Sequence, residues 1–259
     1  MKDHLISKDI FVKSAVAIGA DPILAHKAYA NIEKGGIFLF AVNGKLAAGK
    51  DTIAPAVLEK LGIDNAIHIY YATALKDEVD QAIKIVFNSN SVREAIKCVS
   101  LELNVSLEDA AFVVGSLWVL KSSAEEITAR TRTPEIRSVL QFWGTEVRRS
   151  KEPLYWVNKT LLSAIEAIAE GNSVYATDVR FLNEVEWAQR VGFFVVRLEV
   201  TADTQRKRLF DRDGIVADEA SLNHPSEVNL DGHLGFDLII DNNGSIQSAV
   251  DQIIEHLKG

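Results

Sequence analysis

Six consecutive apolar residues, Ile37-Phe38-Leu39-Phe40-Ala41-Val42, run almost directly into Gly44-Lys45-Leu46-Ala47-Ala48-Gly49-Lys50-Asp51-Thr52. This join constrains the fold more than any other stretch of the chain. The apolar run reads as a fully buried strand, and Asp51 to Leu61 reads as a helix because Ile53, Val57, Leu58 and Leu61 recur on one face. Between them stands the spacing Gly, four residues, Gly, Lys, with Asp-Thr where a Ser or Thr usually follows. Glycines allow a tight turn that aims successive backbone N–H groups at phosphate oxygens. The helix adds its positive N-terminal end, and Lys50 a mobile point charge. The pattern predicts that Gly44, Ala47, Ala48, Gly49, Lys50, Asp51 and Thr52 hold the phosphates of a nucleoside triphosphate. Thr52 offers its hydroxyl one residue late, and Asp51 is placed to hold a metal-bound water. Pro55, early in the helix, forfeits one backbone bond.

Charge and cysteine content narrow the classes further. The 259 residues carry a net charge of −8, which argues against a protein that coats nucleic acid. Phosphate recognition must then come from local basic clusters. A single cysteine, Cys98, excludes an internal disulfide and a multi-cysteine zinc site, and suits a reducing compartment. No apolar run approaches the roughly 20 residues that span a bilayer, and the polar start is unlike a signal peptide. The expectation is a cytoplasmic protein with neither membrane nor nucleic acid as partner.

Along the chain, residues 1–36 read as two short helices separated by Gly19-Ala20-Asp21-Pro22, packed on the core as a hairpin or serving as a partner-binding arm. Residues 37–259 form the main domain. Strands are expected at 66–71, 173–177, 193–200 and 236–240. Helical patterns fill 75–129, longer than a crossover requires, and further helices are expected at 134–149, 153–170, 203–212 and 246–257. Alternation of strands and helices means a parallel sheet with right-handed crossovers. The helical region, about 75–150, reads as an insertion over the carboxyl edge of the sheet, where open α/β folds bind substrates.

Several polar constellations accompany the loop. The strand Val174-Tyr175-Ala176-Thr177 ends on Asp178, with Arg180 two residues later. Arg130, Arg132, Arg137, Arg148 and Arg149 flank Gln141-Phe142-Trp143-Gly144-Thr145-Glu146, and Arg206, Arg208 and Arg212 lie on one helix. Transfer between two phosphorylated molecules gathers negative charge and needs fixed cations beyond Lys50, for which the planar fork of arginine is suited. The other reading of such arginines is solvated helix faces in ordinary ion pairs. Trp143, Trp156 and Trp187 are candidates for the core or for stacking on a base. His224-Pro225-Ser226-Glu227 stands in the loop before the last strand without the strained turn a hydrolase triad requires.

Taken in order, these blocks resemble the phage-type deoxynucleoside monophosphate kinases of the P-loop nucleotide kinase class. The blocks are Gly44 to Thr52, Ala72-Thr73-Ala74-Leu75-Lys76, Leu140 to Glu146, Thr177 to Glu184, His224 to Glu227, and Asp241-Asn242-Asn243-Gly244-Ser245. The resemblance covers about residues 37–257. It implies a P-loop NTPase-type three-layer α/β fold with a central, mainly parallel sheet, the helical insertion, and a basic lid at about 203–235. It implies ATP and Mg²⁺, with phosphoryl transfer to a deoxynucleoside monophosphate (dNMP) and a homodimer as the working form. Lys50, Arg180, Arg208 and Arg212 would act on the transferring phosphate, and Asn242 and Asn243 would lie near the ATP base. Lys76, Arg132, Arg137, Gln141, Gly144, Thr145, Glu146, Asp178 and Arg180 would hold the acceptor. Asp51, Thr52 and Asp178 would position the metal directly or through water. Two rivals stand beside this reading: a kinase for another small metabolite such as dephospho-coenzyme A, and an ATP-driven switch protein.

Overall fold

The computed structural model describes residues 6–122, 126–214 and 225–258. In chain order the elements are α1 (Lys8–Ala17), α2 (Pro22–Glu33), β1 (Leu39–Gly44), α3 (Lys50–Lys60), β2 (Ala66–Ile69), α4 (Tyr71–Asn88), α5 (Val92–Glu102), α6 (Leu107–Trp118) and α7 (Pro134–Phe142). Then follow a π-helical stretch (Trp143–Arg149), α8 (Tyr155–Ala169), β3 (Ser173–Val179), α9 (Leu182–Arg190), β4 (Phe194–Glu199), α10 (Ala202–Asp213), a single turn (Pro225–Val228), β5 (Leu238–Asp241) and α11 (Ile246–Lys258). The chain divides into two compact units. One runs to Tyr70 and resumes at Val157, and the other is Tyr71–Trp156.

The first unit is built on a five-stranded sheet of order β2-β3-β1-β4-β5 in which every pairing is parallel. Parallel sheets need cover on both faces, which explains the continuous apolar runs. Every residue of β1 is buried. Phe40 and Val42 pack with Phe194, Val196 and Ile240, beneath Ile53 and Val57 of α3 and Ile253 and Ile254 of α11. Their neighbours Leu39, Ala41, Val174 and Val195 point to the other face and are buried too. The first two helices belong to this unit. Asn31 donates from α2 to the carbonyls of Ile168 and Ala169 at the end of α8 (3.0 and 3.1 Å), and α1 packs on α9.

Strand ends depart from the sequence expectation in one informative way. β1 begins at Leu39 rather than Ile37 and continues through Asn43 and Gly44, which pair with Arg197 and Leu198 of β4. The polar Asn43 reads as the end of an apolar run, yet it lies inside the ladder. β3 likewise extends past Thr177 to Val179, with an irregularity at its end: Ala41 faces Ala176 but Asn43 faces Val179. One extra residue therefore fits into β3, where Thr177 and Asp178 stand.

The second unit is helical. α4, α5, α6 and α7 bury Val79, Val86, Val99, Val113, Leu117, Ile136 and Val139 in one core, capped by Trp143 and Trp156. Both tryptophans are thus core residues. Ser91, Ser106 and Thr133 cap the N-termini of α5, α6 and α7 with their hydroxyls. A single helix over 134–149 is expected from periodicity; from Trp143 the chain instead widens into π-helix. The wider turn is supported by side chains. Trp143 Nε1 donates to Glu78 (2.8 Å), and Trp156 Nε1 donates to the carbonyl of Gly144 (3.0 Å).

Candidate functional site

The loop after β1 turns at the carboxyl edge of the sheet's central strand. Gly44 leaves little room for a side chain, because a Cβ there would stand 3.0 Å from both the Leu198 carbonyl oxygen and Ala48 Cβ. Gly49 has φ of +91° and a Cβ on it would meet the Asn242 amide at 3.1 Å, so backbone conformation and close packing both favour glycine there. Ala47 also adopts a positive φ, +59°. Lys50 begins α3 and is buried; its Nζ donates to the carbonyls of Gly44 (2.6 Å) and Lys45 (2.9 Å). Burial, followed by the nearby Arg180 guanidinium, lowers its pKa from 10.5 to about 8.

Braces from distant parts of the chain hold this loop. Asn242, just past β5, donates from Nδ2 to the Ala48 carbonyl (2.7 Å), and its Oδ1 is buried without a hydrogen-bond partner. Gln205 on α10 donates to the Leu46 carbonyl (2.9 Å). Glu227, in the turn 225–228, accepts the Leu46 N–H at 2.5 Å with one carboxylate oxygen and pairs with Arg180 Nη1 through the other. Arg180 follows β3, and its backbone is fixed by Glu184, whose carboxylate accepts the N–H groups of Arg180 (2.7 Å) and Phe181 (3.1 Å). Asp178, two residues earlier, sits half-buried at the irregular end of β3.

Behind the loop lies a buried polar chain. Asn43 donates to the Val179 carbonyl (2.6 Å) and accepts from Arg197 Nη1 (2.5 Å). Arg197 Nη2 reaches Asp231 (3.1 Å), whose other oxygen takes Lys45 Nζ (2.7 Å). On the opposite side Thr177 donates its hydroxyl to Asp51 at 2.5 Å, and its oxygen lies 3.0 Å from His68 Nε2. The hydroxyl proton is spent on Asp51, so the hydroxyl oxygen accepts and His68 carries its proton on Nε2. Burial lowers the His68 pKa below its ordinary value, with the neighbouring Asp51 opposing, and the ring stacks on Tyr175 at 4.1 Å.

The site residues read from the sequence divide between the two units. Gly44, Ala47, Ala48, Gly49, Lys50, Asp51, Thr52, Asp178, Arg180, Arg208, Arg212, Asn242 and Asn243 belong to the first, and Lys76, Arg132, Arg137, Gln141, Gly144, Thr145 and Glu146 to the second. Arg208 donates to the carbonyls of Asn242 (2.8 Å) and Gly244 (3.3 Å), and Asn243 accepts from the Thr201 N–H (2.9 Å), so α10 and the turn after β5 are tied together. In the second unit, Thr145 donates back to the Gln141 carbonyl, and Arg132, Arg137, Gln141 and Glu146 are exposed. Arg130 pairs with Asp80 (3.1 Å), and Arg148 with the buried Glu78 (2.8 Å), beside the faces of Trp143 and Tyr155. These two members of the cluster are structural ion pairs. His224 and residues 215–223 of the expected lid lie outside the described residues.

Sequence reading missed Asn43, Arg197, Gln205 and Asp231. Arg197 alone carried a signal: an arginine within the apolar strand Phe194-Val195-Val196-Arg197-Leu198 has to be paired where it is buried.

No protein-family model matches the chain. Over 81 residues it is 32% identical to a protein of Acanthamoeba polyphaga mimivirus named "Putative deoxynucleotide monophosphate kinase". The matched stretch is 31% of this chain and 34% of the relative, so the chain spans about a third of the length of the curated protein it matches. No helix among the described residues is long and apolar enough to cross a membrane.

Proposed function

We propose that this chain is an ATP-dependent deoxynucleoside monophosphate kinase, transferring the γ-phosphate of ATP to a dNMP to give ADP and the diphosphate. One observation carries the reading. A Gly-Lys loop follows the central strand of an all-parallel sheet, and a guanidinium from the end of the adjacent strand, Arg180, reaches it within the span of one carboxylate, that of Glu227. A phosphoryl group passing from donor to acceptor needs that pairing of backbone amide on one side and fixed cation on the other. Partial similarity to a viral protein named as such a kinase supports the same reading.

The mechanism needs no dedicated base, since the acceptor phosphate already carries a nucleophilic oxygen at neutral pH. The protein's work is alignment, charge neutralisation and exclusion of water. Loop amides and Lys50 hold the donor phosphates, while Arg180 and Asp178 face the acceptor phosphate. Arg208 and Arg212 of α10 add charge once Arg208 leaves the carbonyls of Asn242 and Gly244.

Among the described residues no group of three or more His, Cys, Asp or Glu is placed to hold a metal. Magnesium in such sites rests on one or two carboxylates plus the substrate's own phosphates. Exposed Asp51, oriented by Thr177, fits that donor set, with Thr52 and Asp178 as further holders directly or through water. When bound, the ion would supply positive charge against the phosphate oxygens of the nucleotide.

The test is ADP release from Mg·ATP against dGMP, dTMP, dCMP, dAMP, their ribonucleotide counterparts and dephospho-coenzyme A. Stimulation by one or more deoxynucleotides supports the proposal. ATP consumption indifferent to every acceptor overturns it.

A further inference from the structure

Glu227 belongs to a block that the proposed mechanism leaves without a role, and its position is unusual for a carboxylate. Its side chain is 7% exposed. One oxygen takes the N–H of Leu46, which lies in the strand-side half of the loop, away from the first turn of α3. The other binds Arg180. Both are groups that phosphate oxygens would use. A carboxylate bridging them presents two charged acceptor oxygens, much as a phosphoryl group in transfer presents its equatorial oxygens. The peptide that carries this N–H is held from its other side by Lys50, whose Nζ donates to the Lys45 carbonyl (2.9 Å), and Gln205 braces the next peptide through the Leu46 carbonyl (2.9 Å).

The first turn of α3, with the amides of Lys50 to Thr52, carries no such internal anion in any hydrogen bond described above. The inner phosphates of a nucleotide would settle there, at the helix N-terminus. A phosphate reaching outward to Leu46 and Arg180 meets the Glu227 carboxylate in its place.

We infer that Glu227 is a built-in competitor for the terminal phosphate: it occupies the Leu46 N–H and the Arg180 guanidinium in the empty site, and must leave before a triphosphate is fully seated. A diphosphate, held at the helix end of the loop, leaves Glu227 where it is. Glu227 therefore sets the balance between donor and product, weakening ATP relative to ADP. The inference rests on the reading of this loop as an ATP site.

The experiment is calorimetric titration of the full chain and of Glu227→Gln with Mg·ADP and with an ATP analogue whose β–γ link cannot be cleaved. If the site is open about a tenth of the time, the substitution tightens the analogue about tenfold and ADP less than about twofold. An analogue that binds the wild type but binds the variant equally or more weakly overturns the inference and leaves the ATP reading intact, as does equal tightening of ADP. Failure of the folded wild type to bind either nucleotide overturns both. Should Glu227→Gln not fold, hydrogen exchange on the wild type decides. The amides of residues 227–232 exchange faster with the analogue than with ADP; equal or slower exchange overturns the inference.

Discussion

Replacing Lys50 by Met is expected to remove a dependence of stability on pH that the wild type has. The Lys50 pKa falls from 10.5 to about 8 in the folded chain, which corresponds to about 3 kcal/mol spent on keeping the buried ammonium charged at neutral pH. Methionine matches the length of the stem and removes that cost. It also leaves the Gly44 and Lys45 carbonyls without their donor, at about 1 kcal/mol each. Below pH 8 the two effects nearly cancel, and Lys50→Met is slightly the more stable protein. Between about 8 and 10.5 the unfolded wild type binds a proton at Lys50 that the folded form has lost. Wild-type stability therefore rises with pH through this window relative to the variant. Across it the difference should swing by about 3 kcal/mol in favour of the wild type. Urea unfolding of both proteins at intervals from pH 7 to pH 10.5 measures the swing, since every other titrating group cancels in the difference. A difference that stays constant over that range refutes the argument. The same variant should lose acceptor-stimulated ADP release by at least about a hundredfold.

Other parts of the structure give equally direct expectations. Asn43→Leu strips partners from the Val179 carbonyl and from buried Arg197, and should cost about 3 kcal/mol in chemical denaturation. Glu78→Ala leaves Trp143, Arg148 and Tyr155 without their shared carboxylate; a loss of about 3 kcal/mol, with altered near-ultraviolet circular dichroism from the second unit, is expected. Thr177→Val removes the hydroxyl that orients Asp51. It should raise the magnesium concentration for half-maximal activity about tenfold while leaving stability within about 1 kcal/mol.

Periodicity and spacing made the frame of the first unit legible: an apolar run, a Gly-Lys turn and a helix with one apolar face. The strand order was not, because nothing in the local pattern of β3 says that it lies between β1 and β2. Strand ends failed where polar side chains find partners across the sheet, as Asn43 does with Arg197, which lies 154 residues away. The π-helix at Trp143 escaped for a related reason. Its support comes from Glu78 and Trp156, and the intervals between apolar residues alone fit an ordinary helix. The arginine clusters show the limit of composition. Arg180 lies beside the loop, while Arg130 and Arg148 are occupied by carboxylates of their own unit, and no spacing separates these fates. Glu227 was visible as part of a polar block. Its contact with Leu46 spans 181 residues and exists only in the fold.

The central claim is phosphoryl transfer to a nucleotide acceptor, and following the γ-phosphate itself tests it most directly. ATP labelled at the γ-phosphorus, incubated with Mg²⁺, the protein and each dNMP, should yield label in a deoxynucleoside diphosphate, only when acceptor is present and only with Lys50 intact. Label released solely as inorganic phosphate, at the same rate without acceptor, would contradict the account.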